Sequence, residues 1–260
     1  MPARQRCRRR NPGAPLRRIL WWDGFCKPLS WTALATLYGH RWWGVDRIPP
    51  RGPVLLICNH QSYLDLPVLG CGIHHRHFHS MARSTLFKNP LFDRLIRSLN
   101  AFPVEQGKGD IKSVRAAIER LNAGHLVLVF PEGGRTPDGR LQPFNPGTML
   151  LIRRARPAIV PMAVDGVFDI WKIGQPLPRL RGRTGASYGD PIAAQTLLDM
   201  KPDDALALLQ RRVETLRLDT RRRLRRLTHG AWPPPGPGDE PNVAPDPANA
   251  APQPPATGSD

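Results

Sequence analysis

A short apolar run that stops at a histidine constrains this chain most. Pro53-Val54-Leu55-Leu56-Ile57-Cys58 is unbroken, with Gly52 before it and polar residues after it. So short a run reads as a strand buried on both faces. Such strands belong to sheets whose two sides are covered by helices. His125 to Val129 and Ala158 to Val164 repeat the pattern, with helical stretches between. The alternation predicts an α/β fold: a largely parallel mixed sheet flanked by helices on both faces.

The block NHQSYLD, Asn59 to Asp65, starts where the first run ends. Ligand and catalytic groups of open α/β sheets stand at such strand ends. Residues five apart on a helix point roughly 140° away from each other. His60 and Asp65 therefore meet only across a strand-to-helix turn, with Asp65 in the first helical turn. There the carboxylate holds one ring nitrogen and the other is left to take a proton. The plainer reading is a histidine that caps a helix beside a solvated aspartate, and spacing alone leaves both standing. Ser62 reads as a helix-start residue, and no G-x-S-x-G elbow is present. Cys58 reads as a small core residue.

A second block, FPEGGRT from Phe130 to Thr136, follows the run His125 to Val129. Together the two blocks resemble the glycerolipid acyltransferases of the 1-acylglycerol-3-phosphate acyltransferase type. That family carries Asn-His-x4-Asp and, some 70 residues on, Phe-Pro-Glu-Gly-x-Arg. FPVEQGKGD (Phe102 to Asp110) and VPMAVDG (Val160 to Gly166) resemble further family pieces in the same order, so the likeness runs from about Trp42 to Pro191. It implies transfer of a fatty acyl group from acyl-CoA or acyl-ACP to a lysophospholipid hydroxyl, with no other cofactor and no metal. The expected acceptor is 1-acylglycerol-3-phosphate and the product phosphatidic acid, within phospholipid biosynthesis. His60 is then the general base and Asp65 its orienting partner, and no protein nucleophile is needed. The oxyanion cradle is expected from backbone N–H groups near the histidine turn. Gly133 lets backbone approach a phosphate, and Arg135 offers a bidentate fork for it. Glu132 is expected to serve the acceptor site by fixing Arg135 or a glycerol hydroxyl.

One position departs from the family. The middle block commonly holds an arginine where this chain has Gln106. Lys108, two residues on, and Arg83, where the family often has lysine, are the remaining candidate phosphate contacts. The departure leaves a different lysolipid headgroup as an alternative acceptor. Two readings from other classes are a hydrolase using the same histidine and a basic nucleic-acid-binding protein on an inactive core. The presence of both His60 and Asp65 argues against the latter, and no nucleic-acid partner is expected.

The formal charge is +17, and residues 231–260 carry four acids and no Lys or Arg, so the remainder carries +21. Such an excess predicts an anionic partner. Residues 1–38 form a basic N-terminal segment with seven arginines before position 19, followed by a stretch rich in Leu, Trp and Phe. Asp23, Lys27 and Pro28 interrupt it, so no run of ~20 apolar residues is present, which argues against a spanning helix and leaves spanning or lying on the membrane open. A pair of short helices lying on an anionic membrane surface is expected, kinked at Pro28. That places the protein at the cytoplasmic face of the cell membrane, peripheral or monotopic. No signal peptide is evident. The four cysteines have no metal or disulfide spacing and read as free thiols.

Residues 39–229 make the acyltransferase domain. Within it Gly39 to Ile48 reads as a first strand. His74, His75, His77 and His79 read as a basic entry to a strand ending at Arg83, with His77 and His79 on one face. Helices are expected from Ser62 to Gly70, Leu86 to Leu99, Thr148 to Ala155 and Pro202 to Thr228. Asp110 is expected to cap one more, with Ile111, Val114, Ile118 and Leu121 on its buried face. The arginines from Arg221 to Arg226 read as a solvated or lipid-facing surface. Residues 230–260, with ten prolines from Ala231 on, read as a disordered tail.

Overall fold

The computed structural model describes residues 15–105 and 111–243. A helical segment opens it, in three pieces: α1 (Leu16–Ile19), a π-helical stretch (Leu20–Cys26) and α2 (Lys27–Tyr38). Pro28 lies in the first turn of α2, directly after the π-helical stretch, whose wider turn accommodates a residue with no N–H to donate. The expected pair of kinked helices is thus one run with a wide turn ahead of the proline. Among the described residues no helix is long and apolar enough to cross a membrane.

Seven strands follow: β1 (Arg41–Trp43), β2 (Val54–Cys58), β3 (Phe78–Arg83), β4 (Ala101–Val104), β5 (Leu126–Val129), β6 (Ala158–Asp165) and β7 (Gly185–Tyr188). Between and after them come α3 (Asp65–Gly72), α4 (Pro90–Ser98), α5 (Ile111–Asn122), α6 (Gly147–Ala155), α7 (Ala194–Leu198) and α8 (Pro202–Leu227). The sheet order is β1-β7-β6-β2-β5-β3-β4, and only β6 and β7 run antiparallel. β2 lies between β5 and β6 with Cys58 level with Met162, so the ends of β2, β5 and β6 open on one edge.

β2 shows how the two faces fill. Val54, Leu56 and Cys58 join a core with Trp22, Leu34, Tyr38 and α3. Leu55 and Ile57 join a second core with α5, α6, α7 and α8. The period of two along a strand produces this split. The mixed α/β sheet with helices on both sides agrees with the sequence reading.

Several boundaries differ. The expected first strand keeps only Arg41–Trp43, because Gly44 turns left-handed (φ 77°) and a 3-10 turn follows. β3 begins at Phe78, so His77 shares no strand face with His79. It is buried, stacks on Trp22 at 4.6 Å and lies 3.3 Å from Asp23. Among the described residues no group of three or more His, Cys, Asp or Glu could hold a metal. On α5 the buried positions are Ser113, Ala117 and Leu121, while Ile111 is exposed. Asp110 lies outside the described residues.

Two corrections concern the C-terminal part. Arg221 is not a surface residue. It is buried beside the fully buried Arg217 on α8. Arg217 holds Glu214 through Nε (2.7 Å) and Nη2 (2.8 Å), and gives Nη1 to the Gly238 carbonyl at 2.6 Å. Arg221 donates to Asp165 at 2.9 Å, Asp239 at 2.6 Å and the Pro234 carbonyl at 2.9 Å. Residues 231–243 therefore form a strap and are not disordered. Proline lacks a donor but keeps its carbonyl, and arginines of α8 use those acceptors. The strap also reaches Leu141, whose carbonyl accepts from Asn242 at 2.8 Å. Residues 244–260 lie outside the described residues, as do 1–14.

Candidate active site

His60 leaves β2 directly, and its Nδ1 lies 2.6 Å from Asp65 Oδ2. Asp65 opens α3 and is fully buried. The same oxygen accepts the backbone N–H groups of Gln61 (2.7 Å) and Ser62 (3.0 Å). A carboxylate so placed accepts only, so Nδ1 carries the hydrogen and Nε2 keeps its lone pair. The His60 ring stacks on Phe130 at 4.0 Å and remains partly open to solvent. The strand-to-helix turn thus joins the two residues that the spacing paired.

The second block clamps the backbone of the first. Glu132 Oε1 accepts His60 N at 2.5 Å, and Thr136 N donates to His60 O at 2.8 Å. The other carboxylate oxygen of Glu132 accepts Gln142 N at 2.8 Å. Both oxygens of Glu132 are therefore spent on backbone, which replaces the expected contact with Arg135 or a glycerol hydroxyl. Burial pushes its carboxyl up to about 8, against the pull of the bonds from Gln142 and His60. Asn59 fixes the far side: its amide exchanges bonds of 2.8 Å and 3.0 Å with Val164 of β6, as a peptide unit would.

Three N–H groups within the histidine turn are committed elsewhere and do not serve the expected oxyanion cradle. The N–H groups of His60, Gln61 and Ser62 all have acceptors within the protein. Cys58 is buried, which raises its thiol well above the usual range and keeps it protonated.

Arg135 supplies an unused donor. Its guanidinium carbon lies 3.5 Å over the Tyr63 ring, and its Nη1 is buried without a partner. A buried donor left unpaired costs ~1–3 kcal/mol. Gly133 takes φ 73°, and a Cβ at Gly133 or Gly134 would meet nothing within 4 Å, so space is open in front of the turn. Arg83 is exposed at the end of β3, two strands from β2, or ~10 Å at normal strand spacing. Gln106 and Lys108 lie outside the described residues.

Four supporting residues escaped the sequence reading as individuals. Asn59 and Tyr63 sit inside the first block, and Phe130 opens the second, so the motifs flagged their neighbourhood. Gln142 carried no signal, because its role lies in a backbone N–H that any residue but proline supplies.

Comparison with known proteins places the chain among acyltransferases. The acyltransferase family model matches residues 41–165. The chain is 27% identical over 185 residues to 1-acyl-sn-glycerol-3-phosphate acyltransferase of Bacillus subtilis, covering 71% of this chain and 89% of the relative. It is 30% identical over 211 residues to lyso-ornithine lipid O-acyltransferase of Pseudomonas aeruginosa, covering 73% and 77%. The crystal structure of the 1-acyl-sn-glycerophosphate acyltransferase of Thermotoga maritima superposes with a TM-score of 0.65 at 22% identity, over 76% of this chain and 80% of that one. The last likeness shows a shared fold.

Proposed function

This chain belongs to the glycerolipid acyltransferase family of the 1-acylglycerol-3-phosphate acyltransferase type, and from that premise we propose how its residues carry out the transfer. The enzyme is an O-acyltransferase. His60 Nε2 takes the proton of the acceptor hydroxyl as its oxygen attacks the thioester carbon. The carbon–sulfur bond then breaks, and the imidazolium returns the proton to the leaving thiolate. Asp65 holds the imidazole and stabilises its charged form. The observation that carries this reading is the 2.6 Å contact from Nδ1 to a buried carboxylate on a partly exposed imidazole, which commits Nδ1 and leaves Nε2 as the nitrogen that takes a proton.

The acceptor is 1-acylglycerol-3-phosphate and the product phosphatidic acid. Support comes from Arg135, whose buried, unpartnered Nη1 suits a phosphate oxygen. Gly133 and Gly134 leave room for that oxygen to approach, and Arg83 and Lys108 are further candidate contacts. The donor is acyl-CoA or acyl-ACP, with no metal and no bound cofactor. A second reading, a lysolipid without that phosphate, is favoured by Gln106 in place of the family arginine and by the likeness to the lyso-ornithine lipid enzyme. An acceptor panel with product identification by mass spectrometry separates them: turnover confined to an ornithine lysolipid overturns the phosphate reading.

The protein works at the cytoplasmic face of an anionic membrane. The helical segment 16–38 docks on the sheet through Trp22, Leu34 and Tyr38, while Leu20, Phe25, Leu29 and Trp31 stay exposed. Trp21 and Trp22 also donate to Ser98, both at 2.9 Å. An outer apolar face beside Arg17 and Arg18 suits the interface of an anionic leaflet. Co-sedimentation with anionic liposomes at physiological salt tests it; undiminished binding after removal of residues 1–38 would sink the assignment.

A further inference from the structure

The loop between β6 and β7 carries three exposed aliphatic side chains beside the site. Ile173 is 48% exposed, Leu177 75% and Leu180 71%. Lys172, Arg179 and Arg181 interleave with them, and no acidic residue occurs from Ile170 to Gly189. A loop facing only water has no reason to expose three large aliphatics together.

The roots of this loop are fixed. Arg179 N donates to the Ile170 carbonyl at 2.9 Å, and Ile170 lies in the core. The Trp171 indole donates to the Gln175 carbonyl at 3.0 Å. Three contacts join it to other elements. Ser62 Oγ of the histidine turn donates to the Trp171 carbonyl at 2.8 Å, and the Tyr63 and Trp171 rings lie 4.9 Å apart. On the other side, Tyr38 of α2 donates to the Arg179 carbonyl at 2.9 Å. The loop therefore bridges the active-site turn and the helix whose outer face is apolar.

We propose that residues 172–181 insert their aliphatic tip into the anionic leaflet that carries the acceptor, and so set the height of His60 above it. The inference deepens the lipid-acceptor reading above and rests on it. Charge selects the occupant: cations alternating with aliphatics fit anionic headgroups over acyl chains. The three aliphatics are exposed and belong to neither buried core, as side chains that enter a lipid phase must be. The membrane then meets the protein at two places, the helical segment and this loop, with the histidine turn tied to the second.

The test uses the full chain and Leu177→Asp/Leu180→Asp. Both positions are largely exposed, so folding is unaffected, and an unchanged melting curve checks this. Binding to vesicles of equal parts phosphatidylcholine and phosphatidylglycerol is measured by co-sedimentation. Turnover is measured on acceptor embedded in those vesicles and on a short-chain, water-soluble acceptor. Vesicle binding and vesicle-borne turnover are expected to fall at least about tenfold, from the lost aliphatic burial. Turnover on the soluble acceptor is expected to stay within about twofold, since neither side chain touches the site. In a second variant, Lys172→Gln/Arg179→Gln/Arg181→Gln, vesicle affinity should weaken by about fivefold per cation. Unchanged binding in both variants overturns the proposal. So does an equal loss on soluble and embedded acceptor. A loss confined to a carrier-protein donor, with acyl-CoA turnover intact, overturns it in favour of an acidic protein on this loop. Failure of the lipid-acceptor reading shows separately, as wild-type protein inert toward both acceptor forms.

Discussion

Glutamine in place of Glu132 separates a residue that positions the histidine turn from one that touches substrate. The carboxyl group accepts His60 N and Gln142 N, one on each oxygen. Glutamine keeps one acceptor and turns an NH2 group toward the other backbone donor, which loses its partner. A buried donor so orphaned costs ~1–3 kcal/mol. For a domain of this size that lowers the melting temperature by about 2–12 °C. The effect depends on pH. The folded carboxyl stands at about 8, above its ordinary value of 4.5. Its contribution to stability is full below pH 4.5 and is lost as pH rises through about 8, because the folded state holds the proton more tightly. Wild type therefore loses a few kcal/mol from this group between about pH 5 and 9, whereas glutamine does not titrate. The gap in melting temperature between wild type and Glu132→Gln should be widest near pH 5, narrow as pH rises, and reverse toward pH 9 where the loss outweighs the cost of the orphaned donor. In kinetics, a loosened His60 lowers kcat by about 10–100-fold, with acceptor KM within about twofold. Thermal melts across pH and a kinetic pair on one acceptor read both. A raised acceptor KM at unchanged kcat means that Glu132 contacts substrate, and a gap constant with pH means that the carboxyl does not titrate in that window. Either result refutes the reasoning.

His60→Ala should fold normally and lose about 10²–10⁴-fold in kcat, read by acyl transfer from a thioester to a lysolipid; near-normal turnover by the folded variant refutes its role as base. Arg135→Ala should raise acceptor KM on 1-acylglycerol-3-phosphate by about tenfold or more, from the loss of a charge-assisted contact, while Gln106→Ala should move it far less. Ending the chain at Ala231 removes the acceptors of Arg217 and Arg221 in the strap, and should lower the melting temperature by about 5–15 °C. An unchanged melt would show that these buried arginines are satisfied without the strap.

The chemistry was legible in the chain because it is local. His60 and Asp65 meet across one turn, and Phe130 to Thr136 fall on the adjacent strand end. β2, β5 and β6 were legible because burial on both faces demands an unbroken apolar run. β7 was not, because Gly185-Ala186-Ser187-Tyr188 has no β-branched residue and becomes a strand only between β1 and β6. The strap was misread for a related reason. Proline-rich composition argues against a packed core, yet here the partners are arginines of α8 that take carbonyl oxygens. Glu132 was expected in the acceptor site by resemblance to the family, and sequence says nothing of where a carboxylate turns. Gln142 N, which fixes that direction, is a backbone atom.

The seat of the helical segment has a consequence for synthesis. Segment 16–38 leads straight into β1, and β1 pairs only with β7; His40 and Thr184, joined at 2.9 Å beside that pairing, are 144 positions apart. At translation rates of 5–20 residues per second, roughly 7–30 s pass between the appearance of the two. During that interval β1 has no sheet edge to pair with, while Trp22 already has His77, Phe78 and Ser98 to pack on. A nascent chain halted before Gly185 thus holds its leading helix by one side and leaves the strand after it unpaired. Leu20, Phe25, Leu29 and Trp31, exposed in the finished fold, face outward through the whole interval.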